Sequence, residues 1–515
     1  MTIVMTGLSI NKLNGRVTRG IKPFVNLLSV RALDSSNYWS SSEYNSNNAW
    51  NVNFGGTNSN NNNNKNNSFY VRAVAALDIE DEVSVVEAYN DCCRNKKGSP
   101  QCVDYRLKAE QLLGLALAIK ERRYQPIASE AFVVTTPKLR EIFAASFQDR
   151  IVQHWIYLRI NPLFEARFRS MGDVSFNCRK GFGTIAARQR VYDDMHKYGF
   201  GNDLYVGKFD IHSFFMTIDL IILWALLEPF IIENYKGNDI DTLLYLTKIT
   251  IFHRPQNNCV RKGNLDLWSE LPPSKSLFGK DDHTGMAIGN ITSQVLCNFY
   301  LSFFDEWMLK RIKELGHEHP EEHYARFVDD YATHSMPVEH VKILHKEAAP
   351  WLKENLHLTL HPDKVYIQPQ RHGVQFVGGV IMPGRMYVIN RTVGAMSNKV
   401  KFTDTLCQVI VTKGVSESRL ALLDHCVSSL NSYSGFLRHG KTYNIQKKML
   451  LELPWFWKVC YTTKNLSVVK IKKKYKLSNY LLNEQELQRR ITRSFRPRRS
   501  NTFPDDKFLR RRAGW

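Results

Sequence analysis

Residues 324–332 read YARFVDDYA, so Asp329 and Asp330 stand side by side between aromatic and apolar residues. A second segment, residues 206–215, reads VGKFDIHSFF and carries an apolar run that ends on Asp210. The first pattern predicts a tight hairpin with acids at its tip, and the second predicts a strand that ends in a carboxylate. Adjacent acids among apolar residues are costly unless a cation neutralises them. Together the two segments predict one site with three carboxylates.

Three carboxylates on a strand end and a neighbouring hairpin suit a site for two cations. Phosphoryl transfer from a nucleotide uses two cations roughly 3.5–4 Å apart, which clamp the attacking and leaving oxygens. Magnesium prefers carboxylate oxygens together with substrate phosphates. An isolated Asp-Asp pair is more often a solvated turn, and the apolar flanks of both segments are what favour a functional site here.

The chain of 515 residues is basic, with a net charge of +21 and a pI of about 9.5. The excess charge must lie on the surface, because buried unpaired charge is too costly. A basic surface attracts polyanions, so we expect a nucleic-acid partner. Acidic membranes and ribosomes also attract basic proteins, so charge alone does not decide between these partners.

No segment predicts secretion or a membrane partner. Residues 1–20 have no long apolar core, and the apolar run Leu220–Ile232 is too short to span a bilayer and predicts a buried helix. The nine cysteines are scattered without a CxxC pair, which favours free, buried thiols in a cytoplasmic protein. His317, His319 and His323 lie among glutamates and predict a solvated loop rather than a metal site.

Four zones follow one another along the chain. Residues 1–80 contain an asparagine-rich run, Asn45–Asn67, which predicts loop or disorder between aromatic, strand-like flanks. Residues 85–200 have a mainly helical pattern, and residues 200–395 alternate strands with helices. Residues 395–515 return to helix and end in a very basic tail.

Residues from about 130 to 460 carry a series of short motifs. They read PKLR at 137–140, FQDRIVQ at 147–153, CRKGFGT at 178–184, DIHSFF at 210–215, FVDD at 327–330, LTLHPDK at 358–364, GVQFVGGV at 373–380 and SYSGFLRH at 432–439. In this order they resemble the finger, palm, primer-grip and thumb motifs of reverse transcriptases. Phe327 stands where the family usually has tyrosine.

The resemblance implies an α+β fold shaped as a right hand, with an antiparallel palm sheet packed on helices. The implied ranges are 1–80 for a low-complexity N-terminal extension, 81–205 for fingers, 206–395 for palm with some finger elements, 396–465 for thumb and 466–515 for a basic C-terminal tail. It implies an RNA-directed DNA polymerase, a nucleotidyltransferase that binds template RNA, its cDNA product and deoxynucleotides. Binding through the tail should weaken as salt rises.

The resemblance also assigns roles to individual residues. The implied catalytic residues are Asp210, Asp329 and Asp330, and the same three with Ile211 are the implied ligands of two Mg²⁺ ions. Phe215 occupies the position of the steric gate, where a ring would clash with a ribose 2′-hydroxyl.

The implied deoxynucleotide contacts are Arg179, Lys180, Phe215, Ile288, Gly289 and Lys364. Arg179 and Lys180 would bind the triphosphate, although an exposed basic turn is a serious alternative. Lys364 would donate a proton to the leaving pyrophosphate, with a solvated lysine about as plausible.

One motif points to a subfamily. Residues 285–294 read GMAIGNITSQ, where most reverse transcriptases have Pro-Gln-Gly in register with Ala287, Ile288 and Gly289. This form resembles the enzymes of diversity-generating retroelements, which copy a template RNA with frequent errors opposite adenine and work with a small basic accessory protein. Loss of the glutamine removes a polar contact beside the nascent base pair, and each good contact contributes about 1–3 kcal/mol to discrimination.

The asparagine-rich zone resembles the variable repeat of retroelement target proteins. Asparagine codons are rich in adenine, so we interpret residues 30–76 as a template repeat translated with the polymerase. A low-complexity tail, or a start codon placed too far upstream, is the plainer alternative.

Two other functions remain open. A phage-defence or group II intron-like reverse transcriptase is the first, although we find no His-Asn-His-type zinc module after residue 460. The second is a non-catalytic RNA-binding scaffold, which the presence of all three acids disfavours.

Overall fold

The computed structural model describes residues 37–43, 48–53, 60–64 and 79–481, apart from residues 108, 136–137, 202 and 441. These residues fall into two compact units. The first runs to Val377 and takes in Met382–Gly384, and the second comprises Gly378–Ile381 and the residues from Arg385 onward.

Strands and helices alternate along much of the described chain. The strands are β1 Asn37–Glu43, β2 Asn48–Asn53, β3 Asn60–Asn64, β4 Ser129–Val134, β5 Arg140–Ala144, β6 Tyr205–Asp210, β7 Cys259–Arg261, β8 Tyr324–Phe327, β9 Asp330–Met336, β10 Tyr366–Pro369, β11 Val374–Phe376, β12 Gly379–Met382, β13 Arg385–Val388, β14 Cys460–Thr462 and β15 Val469–Ile471.

Most of the described residues outside these strands are helical. The helices are α1 Ile79–Cys93, α2 Pro100–Leu107, α3 Ala109–Lys120, α4 Phe147–Ser170, α5 Thr184–Tyr198, α6 Leu220–Asn234, α7 Ile240–Phe252, α8 Ile291–Glu314, α9 Val338–Leu356, α10 Asn390–Lys413, α11 Glu417–Leu437, α12 Tyr443–Leu451 and α13 Phe456–Val459. With the antiparallel sheets described below, they confirm the predicted α+β class.

A four-stranded sheet in the order β10-β6-β9-β8 lies at the centre of the first unit, and each neighbouring pair is antiparallel. Its alternating aromatic side chains face the helices behind it. The ring of Phe209 in β6 stacks on His345 of α9 at 4.7 Å, and Tyr331 in β9 meets Phe304 of α8 edge-on at 5.2 Å. Burial of these rings fixes which residues of β6 and β9 face away from the core.

Helix α4 packs against α8, and α8 in turn contacts strand β8 of this sheet. Helix α4 begins at Phe147 because the side chain of Ser146 accepts a hydrogen bond from the backbone of Asp149. Phe164 of α4 stacks on Phe299 of α8 with ring centroids 4.6 Å apart. Large buried rings of this kind contribute much of the stability of a packed helix pair.

A second, three-stranded sheet of the first unit has the order β5-β4-β7, with β4 antiparallel to β5 and parallel to β7. Glu141 of β5 is fully buried. Its carboxylate accepts hydrogen bonds from the indole of Trp268, the hydroxyl of Ser276 and the backbone of Leu277, at 2.8 to 2.9 Å. These bonds hold the segment after β7 on the sheet and so position the residues that precede α8.

The second unit is a helical body with its own apolar core and a small hairpin, β14–β15. Asp404 of α10 accepts hydrogen bonds from the backbones of Trp455 and Phe456, where α13 begins. A carboxylate at a helix N-terminus satisfies free N–H groups and opposes the helix dipole. The finger, palm and thumb ranges stay predictions.

The expectation of loop across Asn45–Asn67 is wrong for its two described stretches. Strands β1, β2 and β3 form an antiparallel sheet in that order, and Asn60–Asn64 pairs along Asn48–Val52. Strand pairing uses backbone groups, which asparagine supplies as well as any other residue. Residues 44–47, 54–59 and 65–76 lie outside the described residues, as do the remainder of the proposed repeat and the tail beyond 481.

The nine cysteines are free thiols, and six of them are buried as expected, whereas Cys92 and Cys259 are partly exposed and Cys178 is exposed. Helix α6 covers the apolar run Leu220–Ile232, although Ile221 and Ile232 are more than half exposed. Within the described residues, no helix combines the length and the apolar character needed to cross a membrane.

Candidate functional site

The three predicted acids meet at one end of the central sheet. Phe327 pairs with Asp330, which leaves Val328 and Asp329 as the two-residue turn between β8 and β9. Asp210 ends β6 and lies opposite Asp330 in the β6–β9 ladder. The backbone N–H of Ile211 donates to the carbonyl of Asp329 at 3.2 Å. Strand pairing therefore brings Asp210, Asp329 and Asp330 together, although Asp329 lies 119 positions after Asp210 in the sequence.

Crowding and burial make these carboxylates hard to ionise together. Burial, followed by the charge of Asp210, raises the pKa of Asp329 to about 6. Burial also raises the pKa of Asp330, and the ammonium of Lys208 acts in the opposite direction. Like charges held together in a poorly solvated place favour a bound cation over three free carboxylates.

Two lysines neutralise part of this charge. The Nζ of Lys208 lies 3.3 Å from the Oδ1 of Asp330, and the Nζ of Lys364 pairs with the Oδ2 of Asp210. The backbone N–H of His361 donates to the carbonyl of Asp210 at 2.8 Å, which holds the loop carrying Lys364 against β6.

The oxygens of Asp210, Asp329 and Asp330 are donors of the kind that magnesium binds. In this structure, however, Asp210 and Asp330 form ion pairs with Lys364 and Lys208. Carboxylate oxygens are the ligands that Mg²⁺ prefers. Among the residues that the structure describes, no three His, Cys, Asp or Glu side chains are arranged around a common metal position. Ile211, which was also predicted as a ligand, is a buried residue whose side chain has no ligand atom.

Phe215 and Ile288 pack against the same small apolar cluster. The buried members of this cluster are Ala131, Phe143, Met216, Leu277 and Ala287. The carbonyl of Phe215 accepts a hydrogen bond from Met286 at 2.7 Å, which joins the segment after β6 to the segment before α8. Phe214, beside Phe215, is fully buried, as expected for an ordinary core aromatic.

Gly289 is required by its surroundings. Its φ of +129° is strained for any other residue, and a Cβ atom at this position would lie 2.7 Å from the carbonyl oxygen of Phe143. The carbonyl of Ile288 accepts a hydrogen bond from the N–H of Phe143 at 2.9 Å. Strand β5 therefore fixes the backbone of Ile288 and Gly289.

The two basic residues of the finger motif lie in different environments. The guanidinium of Arg179 is buried, forms ion pairs with Glu165 at 2.9 Å and Asp173 at 2.6 Å, and lies over the ring of Phe182. Lys180 is exposed. The role predicted for Arg179 at the triphosphate stays a prediction, and in the described arrangement its charge is neutralised by two carboxylates.

Sequence reasoning missed the network beneath the hairpin. Arg326 of β8 and Asp305 of α8 form a fully buried ion pair, with 2.6 Å between nitrogen and oxygen. Tyr324 donates to the same carboxylate at 2.8 Å. Arg326 also donates to the side-chain oxygen of Asn298 at 3.0 Å. An arginine within a strand of apolar residues was the available signal, because such a charge needs a buried partner.

The histidines before β8 do not form a solvated loop throughout. His323 is buried, its ring lies 4.4 Å from that of His317, and His317 shares a 3.0 Å hydrogen bond with His340 of α9. His319 is exposed, as expected. The turn after α8 packs onto the start of α9, which the local sequence does not reveal.

Comparison with protein families gives one match, which covers the site. Residues 134–381 match the model of the family described as "Reverse transcriptase (RNA-dependent DNA polymerase)". That segment contains the three acids and every candidate nucleotide contact. A search of curated proteins found no match.

Several solved polymerase structures are similar to this chain at low identity. Apo telomerase from Candida tropicalis shares 12% identity over 67% of this chain and 69% of its own, with a TM-score of 0.38. A form of it truncated from the C-terminal domain shares 13% over 53% of this chain and 59% of its own, at 0.35. The RNA-dependent RNA polymerase of a human picorbirnavirus shares 13% over 64% of this chain and 58% of its own, at 0.35.

The chain thus spans less than two thirds of the truncated telomerase and of the viral polymerase. At such similarity these structures add no argument, and the conclusion rests on the family match. Residues 134–381, which contain the site, are therefore similar to a reverse transcriptase domain, and the matched family is that of RNA-dependent DNA polymerases, which are nucleotidyltransferases.

Proposed function

We propose that this polymerase copies a retroelement template RNA into cDNA with frequent errors at template adenines, as diversity-generating retroelement enzymes do. One observation carries the proposal. Ile288 stands where most reverse transcriptases place a glutamine, and it packs with Phe215 against one apolar cluster. An aliphatic side chain there offers shape without a hydrogen bond, so discrimination between correct and incorrect nucleotides is weaker.

In this proposal Asp210, Asp329 and Asp330 would hold two Mg²⁺ ions, and the main-chain carbonyl of Ile211 would be a further ligand. When bound, the ions neutralise the carboxylates and stabilise the charge of phosphoryl transfer. The ion pairs of Lys208 with Asp330 and of Lys364 with Asp210 support this assignment, because positively charged groups already lie beside these acids.

The ammonium of Lys364 is then free to serve the leaving group. It is half exposed and sits on the loop held against β6, so it can turn from Asp210 toward solvent. There it donates a proton to pyrophosphate as a general acid.

Lys180 binds the incoming triphosphate as a mobile point charge. Arg179, paired with Glu165 and Asp173, holds the segment that carries Lys180 in place. Phe215 acts as the steric gate against a ribose 2′-hydroxyl. Its carbonyl is tied to Met286, so the ring and the Ile288 segment form one wall of the nucleotide site.

The partners follow from the same proposal. They are template RNA, its cDNA product and a small basic accessory protein. The N-terminal segment 30–76 is interpreted as the translated template repeat, and in that case the polymerase does not need it. Deletion of residues 1–76 should leave primer extension unchanged, and a loss of activity would contradict the interpretation.

The direct test is to sequence cDNA made by the full chain with Mg²⁺ on an RNA that encodes residues 30–76 with its natural flanks. We expect substitutions concentrated at template adenines. The matched variant Ile288→Gln should lower that error rate by about 5- to 150-fold, since one polar contact contributes about 1–3 kcal/mol. Faithful cDNA from the wild-type chain would instead favour a phage-defence or group II intron-like role. Absence of cDNA even with an accessory protein would revive the scaffold hypothesis.

A further inference from the structure

The turn of the acidic hairpin is held in an unfavourable backbone conformation. Val328 has a φ of +58°. A β-branched residue rarely adopts a positive φ, because its side chain clashes with the backbone. Such a conformation persists only where the surroundings impose it.

The backbone N–H and the backbone carbonyl of Val328 each form a hydrogen bond with a side chain. Its N–H donates to the Oδ1 of Asn177 at 2.9 Å, and its carbonyl accepts from Arg326 at 3.0 Å. These two bonds fix the peptide planes on either side of Val328. They thereby fix the position of the backbone of Asp329, the next residue.

Asn177 is itself rigidly placed. Its side chain is almost fully buried, and its carbonyl accepts from the amide of Asn298 at 3.1 Å. The residues before it run beside β8, since Phe176 donates to Arg326 and Arg326 donates to Val174, at 3.0 and 2.8 Å. Asn177 therefore belongs to an extra strand-like segment that supports the hairpin from the side.

We propose that Asn177 is a positioning residue that ties the basic finger motif to the acidic hairpin by holding Val328 in its strained conformation. The proposal rests on the function proposed above for Asp329. Asn177 lies three residues before Lys180, and its hydrogen bond to Val328 lies next to Asp329. One short, buried connection therefore links the proposed nucleotide contact of Lys180 to the position of the Asp329 carboxylate. Asn177 is not among the metal-binding or nucleotide-binding residues proposed above.

The first experiment replaces Asn177. In Asn177→Ala the N–H of Val328 loses its acceptor, and the turn relaxes away from the positive φ. We expect kcat for primer extension to fall by about 10- to 100-fold, because small misplacements of reacting groups have effects of that size. KM for deoxynucleotides should change by less than about twofold, since Asn177 makes no nucleotide contact in this scheme. Asn177→Gln retains an uncharged amide acceptor and should lose less of kcat than Asn177→Ala.

The second experiment asks whether strain is the cause. Glycine adopts a positive φ without a steric penalty, so Val328→Gly should no longer need the tether. In a Val328→Gly background, Asn177→Ala should lower kcat by less than about threefold. Equal effects of Asn177→Ala in both backgrounds would overturn the proposal.

A third measurement separates this proposal from the function on which it rests. Amide hydrogen exchange at residues 327–331 should be faster in Asn177→Ala than in the wild type by about tenfold or more, in the full chain without substrate. Unchanged exchange there would overturn the tether even if activity fell. If Asp329→Asn kept full activity, the proposed role of Asp329 would fail, while the exchange result would still report on the tether.

Discussion

The molecule contains two short hairpins that contrast in what holds them. In β14–β15 of the second unit, Cys460, Val469 and Ile471 are buried while Tyr461 and Lys470 are exposed, so one face is apolar and the other meets water. In β8–β9 of the first unit, nearly every residue on both faces is buried, including the charged Arg326. The first pattern needs only an apolar surface beneath it, and the second needs a partner for each buried polar group.

The two hairpins differ in how much unfavourable free energy they contain, and β8–β9 contains more because it buries charged and polar groups. Hairpin β14–β15 is held by a side-chain clamp, in which the amide of Asn431 accepts a hydrogen bond from the N–H of Val469 at 2.7 Å and donates one to its carbonyl at 2.9 Å. Hairpin β8–β9 uses a buried ion pair, several amides and a strained turn. Such features are retained where function requires a fixed geometry.

Removal of Arg326 should give the larger effect on stability. Arg326→Met leaves Asp305 buried without a counter-ion, and breaking a buried pair in this way costs about 3–5 kcal/mol. Thermal unfolding of the full chain, followed by a probe in the first unit, measures this effect. Arg326→Met combined with Asp305→Leu should recover much of the loss, because no unpaired charge remains. A single variant as stable as the wild type would show that the ion pair is not needed to support the hairpin.

Removal of the clamp in the second unit should give a smaller effect. Asn431→Ala loses both hydrogen bonds to Val469, which amounts to about 1–3 kcal/mol. Amide exchange of β14 and β15 should accelerate accordingly. The matched control is Ser432→Ala on the same helix, whose hydroxyl bonds only to the backbone of Ser428 near solvent and should change little. Equal effects of the two substitutions would contradict the clamp.

Low pH should destabilise hairpin β8–β9 more than β14–β15, and this is the smallest of the three expected effects. Burial, with help from His323 and His340, lowers the pKa of His317 to about 4. Between that pKa and the ordinary value of 6.5, the unfolded chain binds a proton that the folded chain does not, so the unfolding free energy falls as pH drops through this window. Residues 460–471 contain no histidine.

The matched variant for the acid effect is His317→Gln, which removes this titration. Asp329 acts with the opposite sign, because its raised pKa of about 6 favours the folded state as pH falls. The protection factors at β8, which are exchange rates corrected for the intrinsic pH dependence of amide exchange, should therefore fall less between pH 6.5 and 4.5 in His317→Gln than in the wild type. Identical pH profiles would show that His317 does not contribute to acid sensitivity.

The sequence was sufficient for the parts of the site that depend on local pattern. An apolar run ending on Asp210 predicts a strand, and acids between apolar residues predict a hairpin tip, so β6, β8 and β9 were expected. The order of the family motifs supplied the reverse transcriptase assignment and the α+β fold. Pairing of Asp210 with Asp330 needed only that these strands be neighbours.

What the sequence could not give were contacts between distant segments. Arg179 belongs to a basic motif, and nothing local indicates that Glu165 and Asp173 neutralise it. Asn177 and Val328 are 151 residues apart, and their hydrogen bond exists only once the folded chain brings them together. The strands of the asparagine-rich zone were missed for another reason. Amino-acid composition indicates how much apolar surface a segment can bury, but it does not indicate which backbone segments pair as strands.

The central claim is that RNA-directed synthesis depends on the acidic hairpin. The measurement is primer extension on an RNA template by the full chain, with Mg²⁺ titrated, for the wild type and Asp329→Asn. The control is Asp282→Asn, an exposed acid of the same unit outside the predicted metal set. We expect Asp329→Asn to lose about a thousandfold or more in rate, because metal and charge stabilisation contribute several kcal/mol. RNA binding should be unchanged in both variants. Extension by Asp329→Asn at the rate of Asp282→Asn would contradict the account.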